Sequence, residues 1–427
     1  VLAALVGVKA AYWMVVAAMV GLWTDFDTER AAQIFKGWFP AGWPPAPRGE
    51  WERHFTTWDA EHYLYLSAAG YPAEARSIAF YPLWPLVIRA GAALTGLSHL
   101  ATGLVLANLC SLAGWLLFHR VAARRWGERV ADAALALLVV FPGALFFQFV
   151  YSESLFFLLL MGLWWALEQR RHAVAWVAAA LAPLVRGVGV FAVLPLAWHI
   201  AQEHAWGARL RRLVAGLRPG RKKTSQPGDP ISEIRNPKSD APSGGTPLTL
   251  AAERTGLRPS GSGPLPWTLL LAPLAGWGGY LGLMAHWTGD PWAGVEAQRF
   301  WGVHAVANLG DLPKFVAGFF EVSAWHAYRG SLLDRLGFLL LLYSLPVQWR
   351  LGKDLLAWSL MLGVLPAMSG TFTSFVRFEA CAFPVFLGLA GFFTVPRWKG
   401  PGLGFLLVCL GLHGLLLWRF LNYRWAG

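Results

Sequence analysis

Residues 3–22 read AALVGVKAAYWMVVAAMVGL, twenty positions with a single charge, Lys9. At about 1.5 Å of rise per residue such a run spans about 30 Å as a helix, the thickness of a bilayer's hydrocarbon core. Runs near that length recur to the end of the chain. Across all 427 residues, 56% are hydrophobic and only 14% charged, against about 25% charged in a soluble domain. The chain is an all-α polytopic membrane protein. Its first run lacks a basic leader and a small-residue cleavage site, so it reads as a retained helix; the absence of an initiator Met leaves open a missing start.

The net charge of +12 raises the question of nucleic acid, and position answers it. Residues 205–265 hold eleven Lys and Arg against four acids, more than half of the excess. A basic loop between spans is a topology signal, so no nucleic-acid partner is expected. Basic stretches at 119–129, 168–172, 205–265, 349–353 and 397–399 are placed on the cytoplasmic side. That leaves 24–79, 149–153, 186–187, 288–334, 369–377 and the extreme C-terminus outside, with about eleven spans: 3–22, 100–119, 130–148, 154–168, 173–186, 187–203, 266–286, 335–348, 354–368, 379–396 and 401–418. The segment 79–97 is long enough to cross, yet a crossing would invert every later loop. Its two prolines and Arg89 instead suggest a helix lying along or dipping into the outer face. Residues 205–265, rich in Pro, Gly and Ser, read as a disordered cytoplasmic linker between an N-terminal membrane half, 1–204, and a C-terminal half, 266–427. Cys110, Cys381 and Cys409 fall in apolar runs without metal-ligand spacing and read as small core residues.

The polar motifs collect on the outer side: WDAEHYLYL (58–66), YSESLF (151–156), LVRG (184–187), GDPWAGVEAQRFW (289–301) and SFVRFE (374–379). On a helix, Asp59, His62 and Tyr63 share one face. A carboxylate among aromatics near the membrane is partly desolvated, which moves it toward the basicity a general base needs. Five other acids of the loop, Asp25, Asp27, Glu29, Glu50 and Glu52, read as an ordinary solvated surface.

WDAEHYLYLSAAGY with AFYPLWPL resembles the first luminal loop of the PIG-V-like (GPI mannosyltransferase II) family, and FPGALFFQFVYSESLFFLLL resembles its next motif. GDPWAGVEAQRFW and SFVRFEACAFPVF resemble later ones, and LVRGVG is a looser match. The resemblance implies a GT-C-type glycosyltransferase fold with a large first extracytoplasmic loop containing juxtamembrane helices. It also implies an inverting transfer of a sugar, mannose in the family, from a polyprenyl-phosphate donor, and it carries the family's Trp-Asp pair onto Trp58 and Asp59.

In such a reaction Asp59 is the expected catalytic base, oriented by His62 or Glu61. Arg186 and Arg377, at predicted outer ends of spans, are expected to meet the lipid phosphate, with interfacial snorkelling as their ordinary role. Glu153 reads first as the partner of a Ser152 N-cap, with acceptor contact as its other role. Asp290 is turn chemistry, and Gln298 and Arg299 follow on a surface helix. Trp292 and Trp301 suit either a sugar or the membrane interface. Asp25 and Asp27 offer a possible divalent-ion pair, but no obligatory metal or other cofactor is expected because arginines suffice for a lipid monophosphate. The expected partners are the lipid-linked donor, membrane lipids and a glycolipid, glycan or protein acceptor. The expected location is a bacterial inner membrane with the site facing the exterior. A polyprenyl-linked lipid or glycan flippase is the alternative; the gathering of polar motifs on one face argues against it.

Overall fold

A computed structural model describes residues 1–45, 47–203, 266–302 and 304–427. The expected linker 205–265 lies outside these residues. The described chain is helical, with no strand. Four of its helices are long and apolar enough to cross a membrane: Leu2–Leu22, His99–Trp126, the stretch Trp267–Thr288 and the stretch Pro396–Leu421.

Helices that fall short of that length or hydropathy lie at the other expected spans, and their breaks follow local chemistry. The stretch 130–148 ends as an α-helix at Val140, and Pro142 opens a 3₁₀ segment, Pro142–Phe147. Gly187 and Gly189 likewise place a 3₁₀ turn, Gly187–Ala192, before the helix Val193–Glu203. Asp354–Gly370 runs on through a π-turn at Leu360–Val364. The segment 379–396 holds the helix Phe383–Phe393, and a short helix, Phe375–Glu379, ends at its first residue. Residues 79–97 contain a helix, Leu83–Thr95, of 13 residues, about 20 Å long and shorter than a bilayer core.

Packing gives the molecule two distinguishable ends. His99–Trp126 has 28 residues, about 42 Å. At its start His99 Nδ1 lies 2.9 Å from Ser67 Oγ on the helix Asp59–Ala69. At its finish Arg125 pairs with Glu168 at 2.9 Å and Asp354 at 2.7 Å, while Trp126 Nε1 donates to Leu351 O. The basic stretches 119–129, 168–172 and 349–353 therefore gather at the end remote from WDAEHYLYL. Between the ends lies an aromatic core that includes Trp164 stacked on Phe383 at 4.6 Å. The first helix is tied to this core by Lys9, whose Nζ donates to Asn108, Ser111 and Gln148 at 3.1, 2.8 and 2.8 Å. A buried ammonium in an apolar helix needs such partners. All three cysteines are free and at least partly buried.

Candidate active site

The site begins with a constrained turn. Trp58 has φ +54° and ψ −126°, a conformation costly for a bulky side chain and found where surrounding contacts over-determine it. Those contacts come from the other end of the sequence: Trp58 stacks on Tyr423 at 5.3 Å, meets the edge of Trp425 and donates its indole N–H to Arg424 O at 3.2 Å. The turn starts the helix Asp59–Ala69, with Asp59 in its first turn and its far end capped by Arg89, which donates to Ser67 O and Ala68 O, both at 2.7 Å. Arg89 thus terminates a neighbouring helix by binding its unsatisfied carbonyls.

Asp59 meets Arg377 across the molecule, Nη1 to Oδ2 at 2.5 Å. Asp59 Oδ1 receives no hydrogen bond from the described residues. Arg377 also donates through Nε to Glu153 Oε1 at 2.5 Å, and Arg186 Nη1 donates to the same oxygen. Two carboxylates and two guanidinium groups from four separate segments form one alternating network. Burial opposes the charge on Arg377, but Glu153 and Asp59 outweigh it and raise its pKa. Residues 371–374 bring Arg377 into place with positive φ at Thr371, Phe372 and Ser374. The backbone of Val376 passes so close to Gly143 that a Cβ there would lie 2.7 Å from its carbonyl carbon.

The network forms part of the wall of a cavity of about 660 Å³, within the usual range for small-molecule sites. Six of the eight residues proposed from the sequence line it: Trp58, Asp59, His62, Arg186, Gln298 and Arg377. Aromatic side chains, among them Phe35, Trp38, Phe80, Tyr81, Trp301 and Phe378, supply much of the rest. Glu61 is not among the lining residues: it pairs with Arg48 and accepts from Trp43 Nε1, both at 2.6 Å, so it ties down the preceding loop. Glu153 is also not in the lining and stands fully buried, holding both arginines. Ser152 provides no side-chain cap, since its Oγ accepts from Tyr63 OH at 2.9 Å.

His62 stacks on Phe80 at 4.9 Å, its Nδ1 is 2.7 Å from Ser77 Oγ, and burial pushes its pKa down to about 3. It therefore stands neutral at pH 7. His304, Arg329 and Tyr81 also line the cavity and were missed in the sequence. His304 sits in WGVHAV, without a motif to mark it; burial, with Arg377 and Arg186 nearby, lowers its pKa to about 4. Arg329, in the AYRGS island of the predicted outer loop 288–334, carried a signal that went unused. Gln298 Nε2 reaches Tyr81 OH at 3.5 Å, and Asp290 forms the expected turn by accepting from Trp292 N at 2.9 Å. Trp301 lines the cavity, whereas Trp292 is exposed.

Asp25 and Asp27 do not converge on an ion-binding point. Asp25 pairs with Arg424, and Asp27 caps the helix Thr28–Ile34 through Arg30 N. Among the described residues the histidine–carboxylate group with metal-like spacing is His119, Glu128 and Asp132, near the opposite, basic end.

Fold and site together define a helical membrane protein whose largely apolar, aromatic-walled cavity carries a carboxylate–arginine network. Residues 48–208 match the family model described as Mannosyltransferase (PIG-V), so this part of the chain is similar to that family, a likeness that supports a PIG-V-like glycosyltransferase. The match includes Trp58, Asp59, Glu153 and Arg186, whereas Gln298 and Arg377 lie beyond it. No curated protein and no solved structure matches the chain.

Proposed function

We propose that this protein transfers mannose, with inversion, from a polyprenyl-phosphate donor to a hydroxyl acceptor at the non-cytoplasmic face of a bacterial inner membrane. The observation that carries the reading is the placement of Asp59 in the cavity wall, one oxygen fixed by Arg377 and the other without a protein partner. Asp59 accepts the proton of the acceptor hydroxyl as that oxygen forms its bond to the anomeric carbon. The bond from that carbon to the phosphate oxygen breaks on the opposite side, and the polyprenyl phosphate leaves with the electron pair. Back-side attack inverts the centre. Charge developing on the phosphate is met by arginines in a partly desolvated wall. This supports leaving-group stabilisation without an obligatory metal. Aromatic faces such as Trp301 and Phe80 suit the apolar face of a sugar ring.

The test is transfer of radiolabelled mannose from a polyprenyl-phosphate donor by purified protein, supplied with glycolipid, glycan and peptide acceptors in turn. Transfer by wild type, persistence in EDTA and loss in Asp59→Asn are expected. Transbilayer movement of the donor lipid without any glycosyl transfer would instead establish a flippase.

A further inference from the structure

The cavity's charges leave one cation over. Its lining contains a single acid, Asp59, and three arginines, Arg186, Arg329 and Arg377. Asp59 and the buried Glu153 behind the wall are committed to Arg377 and Arg186, so those four charges cancel. His62 and His304, the histidines of the lining, are held neutral by burial. Arg329 is exposed, and no carboxylate among the described residues pairs with it. With Glu153 behind the wall counted in, the cavity therefore carries one net positive charge, located on Arg329.

The loop presenting that charge is well anchored. Ser323 N and Ala324 N donate to Gly330 O at 2.9 and 3.2 Å, and Leu332 N and Leu333 N return the connection to Ala324 O and Trp325 O, both at 2.9 Å. Ser323 Oγ donates to Arg329 O at 3.3 Å. Tyr328 OH donates to Trp301 O at 2.7 Å, which fixes the neighbouring position to the aromatic wall. Gly330 has φ +66°, and a Cβ there would lie 2.9 Å from Ser323 N, so the turn after Arg329 depends on glycine.

We propose that Arg329 is the residue that recognises the donor's phosphate, a proposal that rests on the glycosyl-transfer reading above. A phosphodiester linking sugar to lipid carries one negative charge, which the cavity's single uncompensated cation matches. The guanidinium donates paired N–H groups to two phosphate oxygens. Arg186 and Arg377 hold the carboxylates in place, so the recognition of donor charge and the positioning of the base fall to different arginines. Arg329 is then a specificity residue: it selects an anionic carrier and takes no proton.

The experiment compares wild type, Arg329→Gln, Arg329→Lys and, as a control outside the lining, Arg299→Gln. Two readouts are used: donor and acceptor KM with kcat, and binding of undecaprenyl phosphate followed by tryptophan fluorescence. Arg329→Gln is expected to raise donor KM about 10- to 100-fold, as loss of a charged hydrogen bond does. The acceptor KM should stay unchanged and kcat should fall less than donor KM rises. Arg329→Lys should recover most of the loss, and added salt should weaken donor binding in wild type more than in Arg329→Gln. A donor KM within two-fold of wild type in Arg329→Gln, or a rise in acceptor KM instead, overturns the assignment. Wild type that binds undecaprenyl phosphate through Arg329 but transfers no sugar would uphold the phosphate site and reject the enzymatic reading. Wild type that neither binds this lipid nor transfers sugar rejects both.

Discussion

Asp59 and Glu153 share Arg377 yet differ in what surrounds them, and that difference sets opposite expectations for removing their charge. Asp59 stands in the cavity wall with about a fifth of its side chain exposed, whereas Glu153 is fully buried between two guanidinium groups. Asp59→Asn keeps the size of the side chain and an oxygen for Arg377 but cannot take up a proton. Transfer should fall about 10²–10⁴-fold, with the thermal midpoint in detergent nearly unchanged. Activity within a few-fold of wild type, combined with a dead Asp25→Asn, would move the base to the end of the first helix. Glu153→Gln takes from Arg186 its carboxylate partner and from the buried Arg377 one of its two, and should cost about 3–5 kcal/mol of stability, seen as a large fall in the thermal midpoint. An inactive Glu153→Gln with unaltered stability would instead give Glu153 a direct part in the chemistry.

The histidines of the cavity add a pH dependence whose direction is fixed. His62 and His304 are held at about 3 and about 4 in the folded state, against about 6.5 when exposed in the unfolded chain. Between those limits the unfolded state binds protons that the folded state refuses. Their contribution to stability is therefore complete above about pH 6.5 and is lost as the pH falls toward 4. The thermal midpoint should drop between pH 7 and pH 4.5, and His62→Gln with His304→Gln should flatten part of that slope. An identical slope in the double variant would show that the two rings titrate with solvent access.

At the scale of elements, the site depends on how two short pieces of backbone are held. Arg89 closes the C-terminal end of the helix Asp59–Ala69, at the end opposite Asp59. Arg89→Met should destabilise by about 1–2 kcal/mol through two lost carbonyl contacts, with kcat changed only a few-fold. The Gly143 contact with Val376 is different in kind, because a methyl there meets backbone and cannot be relieved by a rotamer. Gly143→Ala should displace the segment bearing Arg377 and reduce transfer by more than ten-fold, even where a folded, monodisperse protein is recovered. These backbone relations explain what the sequence showed and what it hid. Trp58, Asp59 and Arg377 were visible because polar residues interrupting apolar runs are costly and conspicuous. The partner of each charge was not visible, since Arg48–Glu61 and Arg377–Glu153 are set by tertiary approach and no spacing rule connects them. Helices broken at Pro142 and Gly187 looked continuous for a similar reason: hydropathy averages over the residues that interrupt hydrogen bonding.

For the whole molecule, the decisive asymmetry is between its two ends. One end carries the cavity; the other collects Arg125, Glu168, Asp354 and the basic stretches around them. Lys and Arg in short loops resist export, so the basic end is expected in the cytoplasm and the cavity outside. Glu50, in the first large loop, and Lys353, between two apolar helices at the basic end, are both exposed and suit a direct test. The native cysteines occupy apolar helices or buried positions and should give little background with a membrane-impermeant maleimide. In sealed cells Glu50→Cys should label at once, and Lys353→Cys only after permeabilisation. The reverse pattern would put the cavity in the cytoplasm and require a donor presented on that face. Labelling of both from outside would break the link between charge and sidedness, because two ends separated by a helix of about 42 Å cannot share one face of an intact bilayer.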